Sequence, residues 1–215
     1  MHVADDATRS RVVDPPSDDR ELVHRLRRGE ATAFDRVYTT FHPRVFSFLL
    51  RLSGRRDTAE DLAQETWLKL AKAAPGLRED TALAPFLFTV ARNAFISHRR
   101  WAMLDISRIV TFGLEAVSGA TEPTPETHHE RAVAIALLEA ALQQIPLASR
   151  EVLLLVGVEG MDQEEVARML GLSYDALRQR LSRARTLLAE KMELIEKKQS
   201  AAVAARRGDK RGEST

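Results

Sequence analysis

Cysteine is absent from all 215 residues of the sequence. Disulfide bonds and thiolate metal sites are therefore excluded, which fits a reducing compartment. The sequence also lacks an apolar run long enough to span a bilayer, and its polar N-terminal stretch does not resemble a signal peptide. Together these absences predict a cytoplasmic protein.

The sequence has little excess of either charge. Its 32 lysines and arginines oppose 31 aspartates and glutamates, which leaves a formal net charge of +1. Any basic surface for nucleic acid must therefore be local and balanced by acidic surface elsewhere. A hydrophobic content of 44% is enough to bury a core, in one domain or in two small ones.

Strand signals are missing as well, because no run of β-branched residues bounded by turn residues competes with the helical periodicity. We therefore predict an all-α protein with two small helical domains joined by a flexible linker, the second containing a helix-turn-helix. Residues 111–127 are rich in glycine, proline, serine, threonine and acidic residues, as is typical of linkers. The predicted divisions are a flexible lead 1–16, a first domain 17–107, a linker 108–129, a second domain 130–192 and a disordered basic tail 193–215.

Helix boundaries follow from periodicity and from capping residues. In the first domain, Asp57 and Glu60 have the spacing of a capping box. In the second, Asp162 is the predicted N-cap of a short helix that ends at Gly171. The predicted helices are 17–29, 31–54, 57–72, 85–101, 130–144, 148–158 and 162–171, followed by one that starts after Ser173.

The turn "LGLS" at 170–173 joins that short helix to an arginine-bearing one, and this arrangement is typical of a helix-turn-helix. The second helix of such a unit enters the major groove, where arginine can donate hydrogen bonds to guanine and to phosphate. Alternatively, the arginines form only a solvated face. The apolar stripe is Leu177, Leu181, Ala184 and Leu188, and the outward side chains are Arg178, Gln179, Ser182, Arg183, Arg185 and Thr186.

The helix predicted at 57–72 has an acidic face that includes an apolar residue. Asp61, Gln64, Glu65 and Leu68 recur at helical spacing on one side. An exposed leucine among carboxylates suggests a protein partner, although isolated apolar residues are common on surfaces. The opposite, core-facing side consists of Ala59, Ala63, Thr66, Trp67 and Leu70.

The helix predicted at 85–101 mixes aromatic and basic residues. Phe88, Arg92, Phe95 and Arg99 share one side, with Asn93 beside them. Rings stack on unpaired bases and arginines neutralise phosphate, so this mixture suits single-stranded nucleic acid. The alternative is that the phenylalanines belong to the core. The predicted core side is Leu87, Val90, Ala91, Ala94 and Trp101.

The order of these segments resembles the extracytoplasmic-function (ECF) sigma factors, which are small bacterial initiation subunits of RNA polymerase. Residues 57–70 resemble the family's core-polymerase-binding helix, 86–100 its minus-ten helix, and 142–188 its terminal domain. The resemblance covers residues 19–191. It implies binding rather than catalysis, with no cofactor and no metal.

Core RNA polymerase, promoter DNA and an anti-sigma protein are the partners that the resemblance implies. Asp61 and Glu65, with Gln64 and Leu68, match the core-binding surface. The implied DNA contacts are Phe88, Arg92, Asn93, Arg99 and Arg100 at the minus-ten element, and Arg178, Gln179, Ser182, Arg183 and Arg185 at the minus-thirty-five element.

Two other functions are compatible with parts of the sequence. A free-standing helix-turn-helix regulator would need no polymerase and would bind a palindromic duplex as a dimer. A metal-dependent hydrolase would use His128, His129 and Glu130 with His24, His42 or His98. Adjacent histidines point to different sides of a helix, which disfavours the hydrolase.

Overall fold

The computed structural model describes residues 16–108 and 127–212, with side chains described for 19–103 and 133–199. Every regular element within these ranges is helical, which confirms the all-α prediction. The predicted lead lies outside the described residues except for Pro16, which begins the first helix, and so does most of the predicted linker. No helix in the described part of the chain combines the length and hydropathy needed to cross a membrane.

Four α-helices build the first domain. They are α1 (Pro16–Arg27), α2 (Ala31–Ser53), α3 (Arg56–Ala73) and α4 (Leu83–Arg108), with a 3-10 turn at Ala74–Gly76 after α3. Helices α2, α3 and α4 pack against one another, and α1 packs on α2. Asp19 near the start of α1 accepts a hydrogen bond from the Leu83 backbone N–H at 2.9 Å, which joins the first helix to the last.

The predicted end of α2 is confirmed, whereas the predicted start of α3 is wrong in detail. Gly54 follows α2 with φ at 71°, a left-handed conformation that favours glycine. The capping box of Asp57 and Glu60 does not form, because α3 begins at Arg56 and the two arginines that precede Asp57 bind the carboxylates. Arg55 pairs with Asp57, and Arg56 pairs with Glu60.

The second domain is built around the helix that carries the arginines. Its elements are α5 (Thr127–Gln143), α6 (Leu147–Val152), a π-helical segment (Leu153–Val158), α7 (Gln163–Leu170) and α8 (Tyr174–Gly212). Helix α8 contacts α5, α6 and α7. Asp162 caps α7 by accepting hydrogen bonds from the Glu164 and Glu165 backbone N–H groups at 2.8 and 3.2 Å, and Gly171 ends it with φ at 66°, both as predicted.

Two predictions for the second domain differ from the structure. The single helix expected at 148–158 is an α-helix followed by a π-helical segment, in which the Glu159 N–H bonds back to the Leu154 carbonyl. The tail expected to be disordered from 193 onward is helical as far as Gly212, because it continues α8 without interruption. Alanine, lysine and glutamate favour helix there, and Glu193 pairs with Lys197 one turn later.

The two domains share one continuous buried core. Helix α2 contacts α5 and α6, and α4 contacts α7. Buried side chains from both domains, among them Leu52 and Phe88 in the first and Ile145 and Leu155 in the second, belong to the same apolar cluster. Helix α4 and the helix-turn-helix therefore lie in domains that are packed together in this structure.

Candidate functional sites

Helix α3 has the exposed acidic face and the buried apolar face that the sequence predicts. Asp61, Gln64 and Leu68 are exposed, and Leu68 keeps 55% of its surface in solvent. Glu65 lies beside them and pairs with Lys69 at 2.7 Å. The predicted core-facing residues of this helix are all buried, and they are Ala59, Ala63, Thr66, Trp67 and Leu70.

An aromatic groove of about 450 Å³ runs between α2 and α3, beside this acidic surface. The Trp67 indole N–H donates to His42 Nδ1 at 3.0 Å, and the Tyr38 ring stacks on the His42 ring with centroids 4.6 Å apart. The sequence analysis missed this groove, although Tyr38, His42 and Phe46 recur every four residues along α2. The groove is lined by Tyr38, His42, Phe46, Arg56, Glu60, Ala63, Gln64 and Trp67.

His42, which the hydrolase alternative would use, is thus held in an aromatic stack by Trp67 and Tyr38. Among the side chains described for residues 19–103 and 133–199, no group of three or more from histidine, aspartate and glutamate could hold a metal ion. The side chains of His128, His129 and Glu130, which the hydrolase alternative also requires, lie outside the described ones.

The side chains of α4 that are buried and exposed differ from those that the sequence predicts. Phe88 is fully buried and meets the Phe48 ring edge to face with centroids 5.2 Å apart, so the structure contradicts its predicted exposure to an unpaired base. Phe95 is also buried, whereas Trp101, predicted to be in the core, is 68% exposed. The cause is that α4 packs against both α2 and α3 and so buries a wider arc than one apolar stripe.

The polar residues predicted on α4 are accessible to different degrees. Asn93, Arg99 and Arg100 are exposed on the outer side of the helix. Arg92 is half-buried, because its Nε donates to Glu151 of the second domain at 3.1 Å. Of the five predicted minus-ten residues, three are therefore free of the core, one is paired across the domains, and Phe88 belongs to the core.

The outward face of α8 agrees with the prediction. The Ser173 hydroxyl accepts a hydrogen bond from the Ala176 N–H at 3.2 Å at the start of the helix, which orients its first turn. Leu177, Leu181 and Ala184 are buried against the other helices of the domain. All five predicted minus-thirty-five residues are exposed, and they are Arg178, Gln179, Ser182, Arg183 and Arg185.

Comparisons with known proteins place both halves in one family. Residues 37–102 match Sigma-70 region 2, and residues 135–188 match Sigma-70 region 4. The chain is 31% identical over 147 residues to the ECF RNA polymerase sigma factor EcfG of Rhodopseudomonas palustris, an alignment that covers 68% of this chain and 78% of that one. It is 32% identical over 172 residues to the RNA polymerase sigma factor CarQ of Myxococcus xanthus, covering 78% and 94%.

The chain belongs to the ECF RNA polymerase sigma factors. It is therefore an alternative sigma subunit of bacterial RNA polymerase, and the free-standing regulator is not favoured. Its relatives are transcription factors rather than enzymes.

Solved structures agree with this sigma factor's fold. The sigma factor RpoE of Bartonella quintana, solved with the anti-sigma factor NepR, matches with a TM-score of 0.61 and 26% identity over 74% of this chain and 96% of that one. CnrH, solved with the cytosolic domain of CnrY, matches with a TM-score of 0.59 over 82% and 97% of the two chains. At 22% identity, the likeness to CnrH shows the fold alone.

Among the described side chains, three ion pairs and one buried arginine connect the domains of the sigma factor. In one of the pairs, Arg51 of α2 lies 3.6 Å from Glu139 of α5. Arg44 pairs with Glu159 at 3.0 Å, as Arg92 does with Glu151 at 3.1 Å. Arg150 is buried and donates to the Leu52 carbonyl at the end of α2 at 2.9 Å. Sequence reasoning missed these contacts, because they join residues far apart in the chain and have no local pattern.

Proposed function

We propose that this sigma factor binds core RNA polymerase through the acidic surface of α3 and promoter DNA through α4 and α8. The observation that carries the proposal is the exposure of polar and basic side chains on helices whose opposite faces are buried. The core-binding residues are Asp61, Gln64, Glu65 and Leu68. The DNA-binding residues are Arg92, Asn93, Arg99 and Arg100 at the minus-ten element, and Arg178, Gln179, Ser182, Arg183 and Arg185 at the minus-thirty-five element.

The α3 surface has the composition of a protein interface. Leu68 supplies an exposed apolar centre, and the carboxylates of Asp61 and Glu65 surround it. Interfaces combine such an apolar centre with a polar rim, and charge complementarity selects the partner. The partner surface on core polymerase should accordingly be basic around an apolar contact.

The two DNA-binding helices act on different forms of DNA. On α4, the Asn93 amide can bond to a base edge, and Arg99 and Arg100 can neutralise phosphates of an opened strand. Phe88 is left out, because a ring with no exposed surface cannot stack on a base. On α8, exposed arginines suit the major groove of duplex DNA, where arginine donates two hydrogen bonds to guanine.

An anti-sigma protein is a further proposed partner. The support is the similarity to the sigma factor RpoE of Bartonella quintana, which was solved in complex with the anti-sigma factor NepR. Such a protein would hold this sigma factor away from core polymerase until it is released.

Charge reversal on α3 tests the core-binding surface. We expect the wild-type chain to co-elute with bacterial core RNA polymerase on a sizing column, and Asp61→Lys and Glu65→Lys to elute alone. A lysine at either position would face the basic partner, and like charges across an interface cost several kcal/mol.

Glu79→Lys is the matched control, because Glu79 lies in the same domain with a side chain 79% exposed and outside α3. This variant should co-elute like the wild type. Co-elution of Asp61→Lys and Glu65→Lys at wild-type affinity would refute the core-binding assignment. A wild-type chain that elutes alone would refute the proposed function.

A further inference from the structure

The second domain has a single large aromatic side chain, and it lies on the surface. Tyr174 is the only phenylalanine, tyrosine or tryptophan between residues 127 and 212. The core of this domain is built from aliphatic side chains, while Tyr174 keeps 44% of its surface in solvent. A large ring is normally buried or reserved for a binding surface, so its exposure here points to a role in recognition.

The position of this tyrosine places it at the start of the DNA-binding helix. Tyr174 is the first residue of α8 and directly follows Ser173, whose hydroxyl caps the first turn. In a helix-turn-helix, the N-terminal residues of the second helix are the ones that contact base edges in the major groove. The ring therefore lies in the turn of α8 where contact with the bases is expected.

Arg178 lies over this ring, one helical turn farther along. Its guanidinium carbon is 5.8 Å from the centre of the Tyr174 ring, within the range in which an aromatic face attracts a cation. Residues four apart lie on the same side of a helix, so the two side chains stay close together. The contact restricts the positions that the long arginine side chain can take. Because the domain has no second ring of this kind, Arg183 and Arg185 have no such partner in it.

An aromatic partner leaves the hydrogen-bond donors of Arg178 available. Asp175 lies three residues before Arg178, but the two form no ion pair among the described side chains. A carboxylate would bind the N–H groups of the guanidinium and offset its charge, whereas a ring attracts the cation without neutralising it. Arg178 is therefore held in place with its charge and its donors free for DNA.

Given the proposed function, on which this inference rests, we propose that Tyr174 is a positioning residue that holds Arg178 to read one guanine of the minus-thirty-five element. Guanine presents O6 and N7 in the major groove, and arginine can donate to both at once. A side chain that is oriented before binding loses less conformational freedom when it binds, so the contact becomes stronger. Tyr174 is thus a specificity determinant that lies outside the set of DNA-binding residues predicted from the sequence.

A selection experiment identifies the base that Arg178 reads. The protein is the holoenzyme reconstituted from the full-length chain and bacterial core RNA polymerase, and the probe is a duplex library randomised across both promoter elements. We expect the wild type to enrich a guanine at one fixed upstream position, and Arg178→Ala to lose that preference. Tyr174→Ala should weaken the same preference about two- to fivefold, the effect of an exposed cation–ring contact. The position whose preference is lost in Arg183→Ala should be unaffected by Tyr174→Ala.

A double-mutant cycle tests whether the ring acts through the arginine. Affinity of the holoenzyme for the most enriched duplex is measured by fluorescence anisotropy. Tyr174→Ala should weaken binding in the wild-type background and have no further effect in Arg178→Ala. Tyr174→Phe should bind as the wild type does, because it keeps the ring and removes only the hydroxyl. Equal effects of Tyr174→Ala in both backgrounds would overturn the positioning role, as would weaker binding by Tyr174→Phe, which would indicate a hydroxyl contact with a phosphate.

Leu194→Ala is the matched control, because it removes another exposed side chain of α8, 49% exposed and about 30 Å farther along the helix. This variant should keep the wild-type affinity and the guanine preference. An unchanged guanine preference in Tyr174→Ala would overturn the inference and leave the proposed function intact. A wild-type holoenzyme that enriches no duplex would refute the proposed DNA binding, and the inference with it.

Discussion

Replacing Phe88 by alanine tests whether this aromatic residue belongs to the core or to the promoter-binding surface. Its ring is fully buried, and it packs edge to face on Phe48 with centroids 5.2 Å apart. Burial of such a side chain contributes about 1.5–3 kcal/mol. The cavity left by a ring of about 100 Å³ costs up to about 2.4 kcal/mol more. The lost aromatic pair contributes about 0.5–1.5 kcal/mol.

Partial collapse of the cavity reduces that sum, so Phe88→Ala should lower the free energy of unfolding by about 3–5 kcal/mol. For a chain of this length, such a loss lowers Tm by about 10 °C. The assay is urea unfolding followed by far-UV circular dichroism, because intrinsic fluorescence would combine the buried Trp67 with the exposed Trp101 that the control removes.

Trp101→Ala is the matched control, because it removes an aromatic ring from the same helix at a position that is 68% exposed. This control should change stability by no more than about 0.5 kcal/mol. A Phe88→Ala variant as stable as the control would refute the placement of Phe88 in the core. It would restore the interpretation of this ring as a base-stacking residue.

Further predictions concern the helix-turn-helix. Asp162→Ala removes the carboxylate that accepts from the Glu164 and Glu165 N–H groups, so we expect a loss of about 1 kcal/mol in unfolding free energy, with Glu190→Ala as the surface control. Arg183→Ala should weaken binding to a minus-thirty-five duplex by about 1–3 kcal/mol, because an exposed arginine of the recognition helix is lost. An unchanged thermal midpoint in the first variant, or unchanged duplex affinity in the second, would contradict these assignments.

Local patterns in the sequence predicted most of the helices and the exposed faces of α3 and α8. Gly54 and Gly171 end their helices in left-handed conformations, and Asp162 caps α7. The exposed faces of α3 and α8 follow from helical periodicity, because each of these helices buries one continuous stripe. The resemblance to sigma factors was likewise carried by segments that are continuous in sequence.

Prediction failed where a residue's surroundings come from distant parts of the chain. Helix α4 packs against both α2 and α3. Phe88 is therefore buried, although the spacing of apolar residues in α4 placed it outside the predicted core side. Trp101 is exposed because no helix in the described part of the chain covers that turn of α4. The capping box at Asp57 failed because Arg55 and Arg56 bind its two carboxylates.

The sequence by itself determined the helical fold, the exposed faces of α3 and α8, and the family. Only the tertiary structure decided which α4 side chains reach solvent and how the two domains meet through Arg44, Arg92 and Arg150. The physical reason is that the spacing of apolar residues along a helix indicates which side is buried, and this signal extends over only a few turns. An ion pair between residues 115 positions apart, such as Arg44 and Glu159, leaves no periodic signal in either segment.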